Sequence, residues 1–447
     1  MAIGKTKELT EGKTLPLLLH FSIPLLLGGI LQQLYQLTDS TIVSRFLGVD
    51  ALAAVGASTS IIFLILGFCN GCGGGMAIPV AQAFGARDYR SVRRNVFNAL
   101  YVTAILSLVI AGTSALLCGR ILHWIRVPAD ILPNAQRYLL IILLGIPATF
   151  FYNLIASIIR SLGDSQSPFW FLLFSTFLNI ALDLLLIIVL RWGVAGAAIA
   201  TVFSQGLSAV LCYVFMVSRY AILRESKEDR RFDGRTALRL LGIGAPMGFQ
   251  FSITAIGSIM VQSANNALGT MYVAAFAAGM RIKMFFMCPL ESLGMAMTTF
   301  AGQNLGAGRM DRVMSGVKSA LLMIVIYCVA SFALLYPTAP WMARLFADAS
   351  ETGIIDAAAL YIRISVIGYF MLGTLCLFRY TIQGLGYTHF AMWSGVMEMV
   401  ARTLVAVLLV SRLGFTAIAA NDSIAWVAAN LFLVPAYFYV FRRVQAK

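Results

Sequence analysis

A six-residue signature, Gln82-Ala83-Phe84-Gly85-Ala86-Arg87, returns later in the chain as Gln303-Asn304-Leu305-Gly306-Ala307-Gly308. Each copy closes a long apolar run, and each is followed by basic residues and a new apolar run. A match at equivalent places in two halves argues for an internal duplication. Other pairs agree with it. Ile23-Pro24 opens the first half and Ala245-Pro246 the second. Ser161-Leu162-Gly163 corresponds to Gly384-Leu385-Gly386, and Gly193-Val194-Ala195-Gly196-Ala197 to Gly414-Phe415-Thr416-Ala417-Ile418. A duplicated set of apolar spans is the layout of many secondary transporters.

The solvent of those spans is lipid. Hydrophobic residues make up 60% of the 447 and charged residues 12%, against roughly 25% charged in a soluble domain. A transmembrane helix needs about 20 apolar residues. Spans are expected at 15–43, 52–83, 94–118, 135–160, 168–190 and 194–218, then at 240–267, 272–302, 318–338, 357–382, 389–410 and 415–440. The expected fold is all-α integral membrane: about twelve transmembrane helices in two six-helix bundles, related by pseudo-twofold symmetry along the membrane normal. The lobes would be 1–218 and 240–447, with the charged stretch 219–239 as a cytoplasmic linker. No cleavable leader is evident, because the apolar run from Leu17 continues past Ile30 as a full span.

Net charge is +14, yet its placement points away from nucleic acid. Basic residues gather in alternate connections: Lys5, Lys7 and Lys13; Arg87, Arg90, Arg93 and Arg94; Arg219 to Arg239; Arg309, Arg312 and Lys318; Arg442, Arg443 and Lys447. The intervening connections are poorer in bases, with Arg45 beside Asp50, Arg120 with Arg126, and Arg344 with Asp348. This positive-inside asymmetry places both termini in the cytoplasm and the chain in the cell inner (plasma) membrane as a multi-pass protein. No Walker motif, H-E-x-x-H or G-x-S-x-G is present. A transporter without a cofactor, rather than an enzyme, is expected. Cys69 and Cys72 form C-x-x-C inside an apolar span without a second pair, which suits a close helix contact better than a metal.

Ionisable groups within spans need a reason, since each costs at least roughly 2.5–3.5 kcal/mol at mid-helix on insertion scales. Gln32, Tyr35, Gln36 and Asp39 share one stripe of the first span. Asn179 and Asp183 lie four apart in the fifth, and Thr201 is in the sixth. Two carboxylates with amide and hydroxyl oxygens suit a hard cation, so Na+ at Asp39, Asn179, Asp183 and Thr201 is one reading. Proton relay is equally suitable, and isolated polar contacts between packed helices are the alternative to both. Candidates for the lining of a substrate cavity are Gln32, Gln36, Asn153, Gln250, Gln262, Asn265, Arg281, Glu398 and Arg402. The spacing of Glu398 and Arg402 suits an intrahelical ion pair.

With the paired Gln-x-x-Gly-Ala elements, the paired prolines and the twelve spans, the chain resembles the multidrug and toxic compound extrusion (MATE) family over nearly its whole length. The branch of DNA-damage-inducible F type carries an acid in helix one, Asn-x-x-x-Asp in helix five and a Thr in helix six. The matching positions are Asp39, Asn179, Asp183 and Thr201, with Tyr35 one turn before Asp39. The resemblance implies antiport of organic, cationic or amphipathic compounds against Na+ or H+, by a monomer whose partners are small-molecule drugs and membrane lipids. It also leaves open a flippase for lipid-linked precursors, for which Arg281, Lys283 and Arg402 would be needed; an integral-membrane enzyme or receptor is a remote alternative. The NorM-type branch is known for acids in helices seven and ten, and this chain has none in those span interiors.

Overall fold

The computed structural model describes residues 8–125, 127–225, 228–346 and 351–446. Lys5, Lys7, Arg126, Lys227, Asp348 and Lys447 lie outside them. Every regular element among the described residues is helical. The elements are α1 Thr14–Leu47, α2 Val49–Met76, α3 Ile78–Gly85, α4 Tyr89–Trp124, α5 Leu132–Leu144, α6 Ile146–Ser161, α7 Gln166–Asp183 and α8 Val194–Arg219, followed by α9 Gly234–Asn266, α10 Thr270–Gly306, α11 Met310–Ala343, α12 Thr352–Gly384, α13 Thr388–Leu404, α14 Val410–Leu413 and α15 Phe415–Gln445. Ten helices are long and apolar enough to cross a membrane, α2 and α3 serving as one. The pair α5–α6, bent by 45°, is an eleventh. α13 with α14 falls outside that count among the described residues. Its first straight segment has only 17 residues, and it carries the buried Glu398 and Arg402.

Where the helices break, the cause is local. Pro79 stands near the start of α3 and Pro147 near the start of α6, where a missing N–H costs nothing. Gly145, between α5 and α6, is packed tightly on Val202. The duplication is written into the backbone at the helix ends. Arg87 N–H donates to Phe84 O at 3.0 Å and Asp88 N–H to Ala83 O at 3.0 Å. In the second copy Gly308 N–H donates to Leu305 O at 3.0 Å and Arg309 N–H to Asn304 O at 2.8 Å. Both are left-handed C-terminal caps, with φ 57° at Arg87 and 68° at Gly308. Gly163 and Gly386 repeat this at φ 87° and 88°, while Gly193 and Gly414, which precede α8 and α15, share a positive φ of 61° and 56°. Even a π-helical turn recurs, at Leu184–Val189 and at Val405–Leu409.

The chain divides into two compact units. Among the described residues, one holds Glu8, Leu9 and Leu27–Ser252; the other holds Thr10–Leu26 and the chain from Ile253 onward. α1 and α9, the duplicated helices that carry Pro24 and Pro246, each change unit partway along. In the first unit the stretch after α8 is ordered by ion pairs. Asp229 meets Arg90 and Arg93 at 3.1 and 2.8 Å, Glu225 meets Arg93 at 3.2 Å, and Asp233 meets Arg94 at 2.6 Å. Hydrogen bonds from Arg93 hold the Asp229 carboxyl below the usual range. Thr236 donates to Asp233 from its hydroxyl and its N–H, and the Asp233 pKa falls to about 2. In the second unit Arg309 and Arg312 donate to Thr10 O and Gly12 O at 3.0 and 2.9 Å.

Glycines let α2 and α9 cross closely in the first unit. A Cβ on Gly75 of α2 would lie 2.7 Å from Gly244 Cα of α9. One on Gly244 would lie 2.7 Å from Cys72 O, and one on Gly248 would lie 2.7 Å from the Phe68 ring. Cys69 and Cys72 are buried free thiols on α2, and Cys72 stands at this crossing. In lipid, small residues are what allow two backbones to meet. Gly75→Ala and Gly244→Ala should each lower thermal stability in detergent by about 1–3 kcal/mol through overpacking. Gly112→Ala, where nothing lies within 4 Å, should be neutral or stabilising by up to about 1 kcal/mol. Equal melting temperatures for all three would show that the crossing is slack.

Candidate functional site

Three helices of the first unit carry a carboxyl pair. On α1, Tyr35 and Asp39 are one turn apart and partly buried. On α7, Asn179 and Asp183 are 1% and 0% exposed. On α8, Thr201 completes the set. The Tyr35 hydroxyl and Thr201 Oγ1 are 3.2 Å apart. With its amide nitrogen turned to the acid, Asn179 donates to Asp183 Oδ2 at 2.9 Å and accepts from Thr201 N–H at 3.1 Å. The carboxyls of Asp39 and Asp183 face each other at hydrogen-bonding range. Asp39 Oδ1 and Asp183 Oδ1 receive no donor among the described residues. No Lys, Arg or His among them forms an ion pair with either acid. Asp183 is the last α-helical residue before the π turn Leu184–Val189, and π turns are frequent at functional sites.

Tyr138 on α5 stands beside both acids, buried at 7% exposure. Sequence reasoning missed it, because a single tyrosine near the start of an apolar span carries no periodic signal. It belongs to a core patch with Ile42, Val43, Ile142, Ile187 and Ala198, which seals the site on one side.

The remaining sequence candidates divide between the units. In the first, Gln32 and Gln36 lie on an exposed face of α1. Asn153 of α6 donates to Thr149 O at 3.0 Å, and Gln250 of α9 is buried. In the second, Gln262 donates to Asn266 at 2.8 Å. Asn265 is fully buried, with neither amide atom partnered among the described residues. Arg281 lies over the Phe346 ring at 5.7 Å.

Glu398 and Arg402 enter a larger network than their spacing suggests. Their own separation is 3.6 Å. Glu398 is held more closely by Arg379, whose Nε also donates to Ser394 Oγ at 3.0 Å. Arg402 is held more closely by Asp422 of α15, at 3.1 Å, and Asp422 also binds Lys283 of α10. Asp422 was not among the sequence candidates. It follows the duplicated Gly414 by eight residues, inside the span expected at 415–440. Lys283, Arg379 and Arg402 therefore face Glu398 and Asp422, a formal balance of +1. The Asp39–Asp183 pair has a formal balance of −2 with no base. The first arrangement nearly balances its charge from within; the second has no partner of opposite charge among the described residues.

Stability separates the two. Removing one partner of a buried ion pair costs about 3–5 kcal/mol, because the other charge is stranded. Asp422→Asn should therefore sharply lower the melting temperature, and Lys283→Met combined with Asp422→Leu should recover much of it. Asp183→Asn relieves a like-charge contact and should leave melting unchanged or raised. The opposite order would show that Asp183 is the structural residue.

Two stretches, residues 24–185 and 246–408, match the MatE sequence family. The chain is 32% identical over 309 residues to the probable multidrug resistance protein YpnP of Bacillus subtilis (strain 168), covering 69% of each chain. It is 29% identical over 388 residues to the probable multidrug resistance protein YoeA of the same organism, covering 85% of this chain and 83% of that one. In fold it is similar to a solved MOP superfamily transporter from Pyrococcus furiosus, with a TM-score of 0.88 at 23% identity over 99% of both chains. Both halves match one family, and the pattern of helices matches its solved members. This chain, a multi-pass membrane transporter rather than an enzyme, belongs to the MatE family.

Proposed function

We propose that the chain is a secondary active exporter of organic, cationic or amphipathic small molecules, driven by H+ or Na+ entering at Asp39 and Asp183. One observation carries this reading: two carboxyls face each other in a lipid-embedded bundle with no base beside them. The relatives named as multidrug resistance proteins support the substrate class. Tyr35, Asn179 and Thr201 supply the oxygens and donors that would order a proton or a sodium ion between the acids, an arrangement in keeping with the DNA-damage-inducible F type branch.

Exchange follows from competition. A ligand shifts a conformational equilibrium only by its differential affinity for the two states. An ion that bridges Asp39 on α1 and Asp183 on α7 favours the conformation in which these helices meet. Substrate favours the other, and each must leave before its rival binds. In the second unit Lys283 and Arg402 are already engaged by Asp422. That counts against the lipid-precursor flippase, which would need free bases for a pyrophosphate. We further propose a monomer in the cell membrane, in contact with lipid, with both termini and the 219–239 stretch in the cytoplasm, as the basic connections suggest.

In proteoliposomes with sodium and proton gradients imposed separately, one gradient should drive efflux of a cationic dye. Asp39→Asn and Asp183→Asn should each reduce that efflux by tenfold or more, and the double variant should lose little further, since both act at one site. Full efflux in Asp39→Asn would remove the pair from the coupling step. For topology, a cysteine at the exposed Glu228 should resist an impermeant maleimide in intact cells and react after lysis. The seven native thiols are buried and give little background. Labelling in intact cells would reverse the orientation.

A further inference from the structure

We propose that the basic end of α15 binds the phosphate headgroup of an anionic phospholipid. A groove of about 610 Å³ is lined there by Pro435, Phe438, Tyr439, Arg442 and Arg443. Elsewhere in this protein arginines near helix ends and in the core hold carboxylates, as Arg90, Arg93, Arg379 and Arg402 do. Arg442 and Arg443 are exposed and hold none among the described residues. Arg443 donates only to the Tyr439 hydroxyl, at 3.3 Å. Two guanidiniums in adjacent positions, steadied by a phenol, form a fork suited to phosphate oxygens.

The apolar side of the groove selects a lipid over a soluble phosphate ester. Ile424, Val427, Leu431 and Phe438 are 38%, 41%, 75% and 51% exposed. They recur at helical spacing through Pro435 and lead to Arg442. At 1.5 Å per residue this stripe runs about 27 Å from Ile424 to Arg442, enough for an acyl chain beneath its headgroup. Pro435 lacks the N–H that would bond back into the helix and so loosens the backbone where the groove opens. Phe390 of α13 packs its ring 6.2 Å from that of Tyr439, which lines the groove. An apolar stripe capped by unpaired guanidiniums and a tyrosine matches the polarity profile of one phospholipid.

Native mass spectrometry of the detergent-solubilised full chain tests this with three probes: phosphatidylglycerol, phosphatidylcholine and inorganic phosphate. Phosphatidylglycerol should be retained in preference to phosphatidylcholine, and millimolar phosphate should not displace it. Each of Arg442→Gln and Arg443→Gln should weaken retention about fivefold, as expected for one basic residue at a headgroup. The double variant should lose it almost wholly, and Arg412→Gln should lose none. Phe438→Ala, which leaves both arginines, should also weaken it. Equal retention of the two lipids, or unchanged phosphatidylglycerol retention in the double variant at an unchanged melting temperature, would overturn the proposal. Ready displacement by inorganic phosphate would overturn the lipid in favour of a free anion.

Discussion

No water is available in hydrocarbon to pair a backbone N–H or C=O, and this constraint governs the molecule. It forces every span into a helix and makes each interruption a problem to be solved in place. The solutions here are few and repeated: a left-handed cap, a proline in the first turn where no donor is wanted, a π turn that shifts one bonding register. The cap and the π turn recur at matched positions in both halves, so the duplication preserved these backbone devices more faithfully than side chains. Arg87 in one half and Gly308 in the other hold the same conformation with quite different costs in φ.

Once the backbone is satisfied, charge becomes the next expense, and the two units treat it differently. The second surrounds its acids with bases drawn from α10, α12 and α13, so that the cluster is nearly self-sufficient. The first leaves two acids facing each other. The ion coupling proposed above would need one place where the protein alone is electrostatically incomplete, and the rest of the interior would have to be complete for that place to be decisive. The contrast between the Asp422 network and the Asp39–Asp183 pair expresses this division in residues.

Much of the architecture was legible in the chain because apolar length and glycine placement are local properties. Expected and observed helices agree within several residues even for bent spans such as 135–160. Asn179 and Asp183 were legible as a pair because four residues make one turn. The π turn after Asp183 was not, since Leu184–Val189 is an ordinary apolar run whose register is set by its packing. Tyr138 and Asp422 were hidden for another reason: each acts through neighbours on other helices, and no spacing rule connects 138 to 39 or 422 to 283. The Glu398–Arg402 spacing was legible as an ion pair, which forms at 3.6 Å, but the network around it was not. Four residues apart permits a pair, but Arg379 and Asp422 come closer to those side chains.

The change of unit within α1 and α9 bears on how the protein is made. Residues Thr10–Leu26 are synthesised well before the rest of their unit, which is otherwise built from Ile253 onward. The first unit in turn stays unfinished until Ser252 has been synthesised. Neither unit is a contiguous piece of chain that could mature alone in the translocon. Biogenesis therefore has to hold an early apolar segment in waiting across more than two hundred residues of synthesis. A gene cut between the duplicated halves would separate each unit from a helix segment it contains. A single polypeptide keeps each of the two crossing helices whole, with its segments in both units.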